Sequence, residues 1–152
     1  MSKTFIIQTI KYGLVGIVNT SVTLVVIWLV LRFLFGVWGD ERASDVAFSI
    51  SNALGYGAGF LTSFLLNRKW TFKSHNRWLT EFVKFVTGAM ICYIPQLILV
   101  TVLNRTQCIP SISFSPFGYK FMLTSPMLCN TIGIVFYTVL NFMYNKYYTF
   151  KK

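Results

Sequence analysis

The chain has 152 residues, of which 55% are hydrophobic and 12% charged, and its net charge is +10. With a mean hydropathy of +0.59, it carries about half the charge expected of a soluble domain. Four long apolar segments use most of the chain. This excludes a separate soluble catalytic domain within these residues and makes nucleic acid an unsuitable partner for the basic charge.

A bilayer crossing takes roughly 20 apolar residues, and four segments qualify, near 12–35, 46–66, 82–103 and 121–144. The predicted fold class is an all-α membrane protein with four transmembrane helices in a single domain. Before the first span, residues 2–10 are candidates for an interfacial stretch. The first span is too long for a secretory signal, and no small-residue cleavage site ends it before Leu31-Arg-Phe-Leu-Phe35, so it is expected to stay. A short acidic loop, Gly36–Asp45, leads to the second span, in which Gly55 and Gly59 lie four apart on one face and permit close helix approach. Gly13, Gly16, Gly88 and Gly133 suit the same purpose. Pro95 and Pro126 are predicted to kink helices 3 and 4. The loop 104–120, with Pro110, Pro116 and Gly118, is expected to lack regular secondary structure. Cys92 and Cys129 fall inside spans and Cys108 in that loop, a spacing that suggests apolar fillers and neither a metal site nor a disulfide framework.

The most informative feature is a repeat. Residues 52–72 and 130–150 align without a gap and share Asn52/Asn130, Gly55/Gly133, Phe64/Phe142, Asn67/Asn145, Thr71/Thr149 and Phe72/Phe150. Both copies end on Asn-basic-x-aromatic-Thr-Phe. A weaker echo joins Lys11-Tyr-Gly-Leu-Val-Gly16 to Lys84-Phe-Val-Thr-Gly88, with a spacing that differs by one residue. The chain therefore reads as two two-helix repeats, 1–72 and 80–150. Two spans per copy make the repeats parallel, unlike inverted-repeat transporters.

Basic residues set the orientation. Lys3, Lys11, Arg68, Lys69, Lys73, Arg77, Lys84, Lys146, Lys151 and Lys152 fall on one side, against Arg32, Arg42, Arg105 and Lys120 on the other, together with Asp40, Glu41 and Asp45. The positive-inside rule puts both termini and the middle loop in the cytoplasm. Attraction to anionic membrane lipids follows from the same charges.

Candidate chemistry lies mainly at that face. Asn67 and Asn145 are placed to cap helix carbonyls. Arg68, Lys69 and Lys146 follow at headgroup level, and Trp70, Phe72, Tyr148 and Phe150, with Tyr147, form an expected aromatic belt. Lys11, Lys84 and, at the opposite face, Arg32 are further candidates for holding a phosphate; simple snorkelling accounts for each singly. Asn19, Asn52, Gln96 and Asn130, along with Asn141, lie within spans. They either hydrogen-bond between helices or line a polar cleft. No Asp or Glu lies in the middle of a span, the nearest being Glu81 at the entrance of helix 3. This argues against proton-coupled cation export. The lone His75 lies in a basic loop, and no nucleophile with its partner, phosphate-binding loop or metal cluster points to an enzyme.

Lys11-Tyr-Gly-Leu-Val-Gly-Ile-Val-Asn-Thr20, Asn67-Arg-Lys-Trp-Thr-Phe72 and Asn145-Lys-Tyr-Tyr-Thr-Phe150 together resemble the GtrA-like family of small four-helix membrane proteins, over nearly the whole chain. The resemblance implies a flippase that moves a polyprenyl-phosphate-linked monosaccharide, such as undecaprenyl-phosphate glucose, across the bacterial cytoplasmic (inner) membrane for cell-surface polysaccharide synthesis. It also implies work beside a membrane glycosyltransferase, and the alternative it leaves open is a non-transporting adaptor that anchors such an enzyme. The family is compared in fold with small multidrug transporters, which act as dimers; the missing intramembrane acid departs from that pattern. No cofactor is needed for facilitated equilibration. Four helices give little room for an enclosed sugar path, so a homo-oligomer is expected.

Overall fold

The computed structural model describes residues 3–37, 43–114 and 121–151. Asp40, Glu41, Arg42, Pro116, Gly118, Lys120 and Lys152, all singled out by the sequence reading, lie outside them. The chain is mainly helical: α1 (Lys3–Leu29), α2 (Asp45–Leu66), α3 (Trp78–Thr106) and α4 (Ser125–Tyr144), with two short strands, β1 (Ile112–Phe114) and β2 (Phe121–Leu123). Three helices do not stop at their α-helical ends but run on into a π-helical turn, at Val30–Leu34, Asn67–Thr71 and Asn145–Thr149.

Among the described residues, three helical segments are long and apolar enough to cross a membrane: Lys3–Leu34, Trp78–Thr106 and Ser125–Thr149. The sequence reading expects four. In α2, Asn52, Tyr56, Gly55, Gly57 and Gly59 dilute the apolar content. Residues such as Ile17, Leu24, Met90, Ile98 and Val135 point outward and are well exposed, which requires a lipid environment. The protein is a membrane protein.

The chain divides into two compact units, Met1–His75 and Asn76–Lys152. In the first, α1 and α2 run antiparallel and close together. A methyl group placed on Gly55 would lie 2.9 Å from the Thr23 carbonyl oxygen and against Ile27, and one on Gly59 would meet the side chains of Thr23 and Asn19. In the second unit, Gly133 faces Val100 and Gln96, and Gly88 faces the Tyr144 ring. The glycines at 55 and 133 are thus met by helix positions 23 and 27 in one unit and 96 and 100 in the other, a constant step along each helix. Gly13 and Gly16 do not serve close approach, because a methyl group there would meet nothing within 4 Å among the described residues. Small residues matter in lipid because association rests on van der Waals packing rather than on water exclusion.

Several boundaries differ from the sequence reading. α1 begins at Lys3, so residues 3–10 are continuous with the helix and not a separate stretch. With its π-turn it spans 32 residues, about 48 Å at the α-helical rise, well beyond the ~30 Å of hydrocarbon. α4 begins at Ser125, with Pro126 in its first turn. A proline there loses no helix hydrogen bond, since first-turn amides have no intrahelical partner, and so the expected kink has no cause. Pro95 does lie inside α3. The loop before α4 is not wholly irregular: β1 pairs antiparallel with β2 through Ile112–Leu123, Ser113–Met122 and Phe114–Phe121. Ser111 Oγ accepts from the Ser125 amide at 3.0 Å, tying this hairpin to the start of α4. At the start of α2, Ser44 caps through its side chain, accepting from the Ala47 amide at 3.2 Å.

The glycine contacts give a test in which the sign matters. In a helix interior Ala is favoured over Gly by about 1 kcal/mol, so Gly57→Ala, into open space, is expected to raise the unfolding midpoint in detergent. Gly55→Ala should lower it, because the Thr23 backbone cannot move aside.

Candidate functional site

The repeated motif owes its spacing to the π-turn. The Phe72 amide donates to the Asn67 carbonyl at 2.9 Å, and the Phe150 amide to the Asn145 carbonyl at 2.8 Å. These are i→i+5 bonds, which set the interval between Asn and Phe in both copies. Such turns are uncommon and concentrate at functional positions. The two segments have the same burial order: Asn buried, the basic residue half-buried, the next two exposed, then Thr and Phe buried.

The asparagines act differently from the expected caps. Asn67 Nδ2 donates to Ser63 Oγ at 3.4 Å and Asn145 Nδ2 to Asn141 Oδ1 at 3.2 Å. In both, the carbonyl that closes the turn belongs to the backbone. Asn67 Oδ1 and the hydroxyls of Thr71 and Thr149 are buried with no hydrogen-bond partner among the described residues.

The aromatic belt divides. Trp70 and Tyr148 are 40% and 53% exposed, and Tyr147 is exposed with them. Phe72 and Phe150, at 4% and 2%, belong to the core and not to the belt. Phe72 meets Tyr12 edge-on with centroids 6.2 Å apart, and Phe150 meets Phe85 at 6.1 Å. Tyr12 directly follows Lys11, and Phe85 directly follows Lys84. The π-turn turns Phe inward; a plain α-helical reading of the segment does not.

Those lysines complete the corner. Lys11 Nζ lies over the Trp70 ring, 5.1 Å from its centroid, and 3.5 Å from the Trp70 carbonyl oxygen. Lys84 Nζ lies 4.8 Å over the Tyr148 ring. A cation over an aromatic face gains about 0.5–1 kcal/mol at an exposed site, and a positive charge near a helix C-terminus is favoured by the peptide dipoles. Each unit therefore builds one ammonium-and-ring corner from its own two helices. Of the other basic candidates, Lys146 reaches the Phe142 and Tyr147 rings, at 5.7 Å each. Arg68 is half-buried and Lys69 exposed. Arg32 lies 5.5 Å over Trp28 at the far end of unit one, apart from the Lys11 corner.

The polar residues within the helices do not form one set. Asn52 Nδ2 donates to the Phe48 carbonyl at 2.8 Å and Asn130 Nδ2 to the Pro126 carbonyl at 2.9 Å. These repeat mates satisfy their own helix rather than bridging two. Asn19 has a buried Oδ1 beside Gly59, and Gln96 packs over Gly133. Asn141 is buried and accepts from Asn145. Glu81 is almost fully buried in the first turn of α3, deeper than a solvated entrance position. Cys92 and Cys129 are buried thiols and Cys108 an exposed one, all free.

One feature at the far end of unit two escaped the sequence reading. Asn104, Gln107, Ile109, Pro110, Ser125 and Pro126 line an open depression of about 460 Å³. Gln107 ends α3 in the left-handed conformation, at φ 49°, a backbone state that the residue type does not announce.

Burial separates the two kinds of aromatic residue, and substitution should separate them too. Phe72→Ala and Phe150→Ala are each expected to cost about 3 kcal/mol, the low end for such a truncation because lipid weakens the transfer contribution. Trp70→Ala should cost only about 1 kcal/mol, the scale of the cation–ring attraction. Unfolding curves in mixed micelles read both, and equal losses would return Phe72 to the belt.

No curated protein matches the chain. The family model described as the GtrA/DPMS transmembrane domain matches residues 11–150, from the first corner lysine to the last core phenylalanine. The resemblance read from the doubled ending is thereby borne out: the chain belongs to the GtrA/DPMS transmembrane-domain family, membrane proteins linked to the handling of lipid-linked sugars.

Proposed function

We propose that the protein is a flippase that moves a polyprenyl-phosphate-linked monosaccharide across a bacterial cytoplasmic membrane, for the synthesis or modification of cell-surface polysaccharide. One observation carries the reading beyond the family. Lys11 and Lys84 occupy matching corners, and neither is paired with a carboxylate among the described residues. An ammonium without a counter-ion at the end of a membrane helix suits a phosphate.

The topology that goes with this has four crossings. Glycine and polar positions interrupt α2, but with the π-turn that continues it, its contacts with α1 run from Lys11 and Trp70 at one end to Ile27 and Gly55 toward the other. A helix lying antiparallel along a crossing helix crosses with it. Two crossings per unit make the repeats parallel, and the positive-inside rule places the corners, with both termini, in the cytoplasm. A phosphate captured there starts on the side where sugar nucleotides are made. The polyprenyl chain stays in lipid while the headgroup crosses, with Asn19, Thr23 and Gln96 as polar side chains at the helix–helix contacts. The movement runs down a gradient maintained by consumption of the sugar outside, with no chemical step and no cofactor. Self-association of the chain and a neighbouring membrane glycosyltransferase belong to the same proposal.

Proteoliposomes containing a polyprenyl-phosphate hexose, with the outward fraction followed by oxidation of the sugar with an impermeant reagent, test it directly. The protein should speed the loss of the inner pool at least tenfold over empty vesicles, and Lys11→Met with Lys84→Met should remove most of that acceleration. No acceleration by the wild-type protein would contradict the flippase. Combined with co-purification of a glycosyltransferase that the double variant loses, that result would favour the adaptor.

A further inference from the structure

Each unit carries a full set of groups suited to a glycosyl phosphate, and the set is made without help from the other unit. In unit one the Lys11 ammonium lies over the ring of Trp70, a residue that remains 40% exposed. In unit two Lys84 lies over Tyr148, 53% exposed. The charge and the ring face do different work. An ammonium attracts phosphate as a compact point charge. A half-open aromatic surface is amphipathic, an apolar body at a wet boundary, and it offers the apolar C–H face of a hexose a place to lie. The π-turn holds both together, because it buries Thr and Phe while leaving the preceding aromatic outside. Lys11 is fixed further by its contact with the Trp70 carbonyl oxygen, so ammonium and ring stay in one relation.

We propose that the chain binds two glycosyl-phosphate headgroups, one at each corner, with Lys11 or Lys84 on the phosphate and Trp70 or Tyr148 against the sugar. The inference deepens the translocation reading and rests on it for the class of ligand, though not for movement. A single route through the molecule would need one corner; two matching corners give either unit its own point of entry.

Native mass spectrometry of the full chain in detergent, titrated with a short-chain prenyl-phosphate hexose, counts the sites. Wild-type protein should take two equivalents, Lys11→Met and Lys84→Met one each, and Lys11→Arg and Lys84→Arg two, which separates charge from misfolding. Trp70→Ala should weaken the first-unit site at least fivefold for the hexose ligand, measured in the Lys84→Met background. It should leave binding of the sugar-free prenyl phosphate unchanged. Phosphatidylglycerol, as the bulk-lipid source of the same phosphate chemistry, should not displace the hexose ligand at equal concentration. One equivalent in the wild type, loss of both equivalents from either lysine substitution, equal weakening of both ligands by Trp70→Ala, or displacement by phosphatidylglycerol would each overturn the inference. Two equivalents bound without flipping in vesicles would sink the translocation reading alone, whereas flipping with one equivalent would sink only the two-site inference.

Discussion

The arrangement depends on one backbone hydrogen bond made twice, from the amide of the motif's phenylalanine to the carbonyl of its asparagine five residues earlier. An α-helix continued through Asn67 or Asn145 would keep its usual face assignments. The wider turn changes them over six residues, so that Thr and Phe enter the core while the two residues before them stay out. Phe72 and Phe150 then wedge against Tyr12 and Phe85, and that contact sets where the opening helix of each unit meets the closing one. The lysines preceding Tyr12 and Phe85 come to lie over Trp70 and Tyr148 as a consequence. Core packing and surface chemistry are therefore outputs of the same turn.

The two units repeat this device while differing along their length. The step between equivalents is the same for Lys11 and Lys84, Tyr12 and Phe85, Thr23 and Gln96, and Ile27 and Val100 on the opening helices. On the closing helices it is the same for Gly55 and Gly133 and for the whole terminal motif. By that register, buried Val15 in one unit corresponds to Gly88 in the other. The Tyr144 ring against Gly88 corresponds to Leu66, so volume removed from one helix is returned by its partner, as a packed interior requires. Asn19 and Gly59 correspond to Cys92 and Tyr137. Asn19 beside Gly59 in unit one thus gives way to Cys92 and Tyr137, the mid-helix polarity of unit two lies one turn on at Gln96, and the corners keep like groups in both units.

Much of this was legible in the sequence, for physical reasons that also mark where it stopped. Long apolar runs, the doubled ending and the imbalance of basic residues needed only composition and spacing. The close approach at Gly55 and Gly133 followed from glycine chemistry, which also nominated Gly13 and Gly16, where the structure shows no such contact. The π-turn did not, because an i→i+5 bond has no residue signature of its own; the doubled interval from Asn to Phe was its only trace. Without that turn, Phe72 and Phe150 read as interfacial aromatics like Trp70. Pro126 read as a kink because the apolar pattern begins at Phe121, before the helix does, and the strand pair at 112–114 and 121–123 is too short to show alternation. The early start of α1 was hidden by Lys3, Thr4, Gln8 and Thr9, polar residues on a helix that outruns the hydrocarbon.

Hydrogen exchange at single amides, read by NMR on the protein in lipid nanodiscs, tests the central claim most directly. If the π-turn is the shared organising bond, the Phe72 and Phe150 amides should exchange slowly and at similar rates, far behind Lys73 and Lys151, which follow them. Fast exchange at both would mean frayed helix ends that cannot seat the phenylalanines. Protection of one alone would mean that the repeated motif does not build the same corner twice.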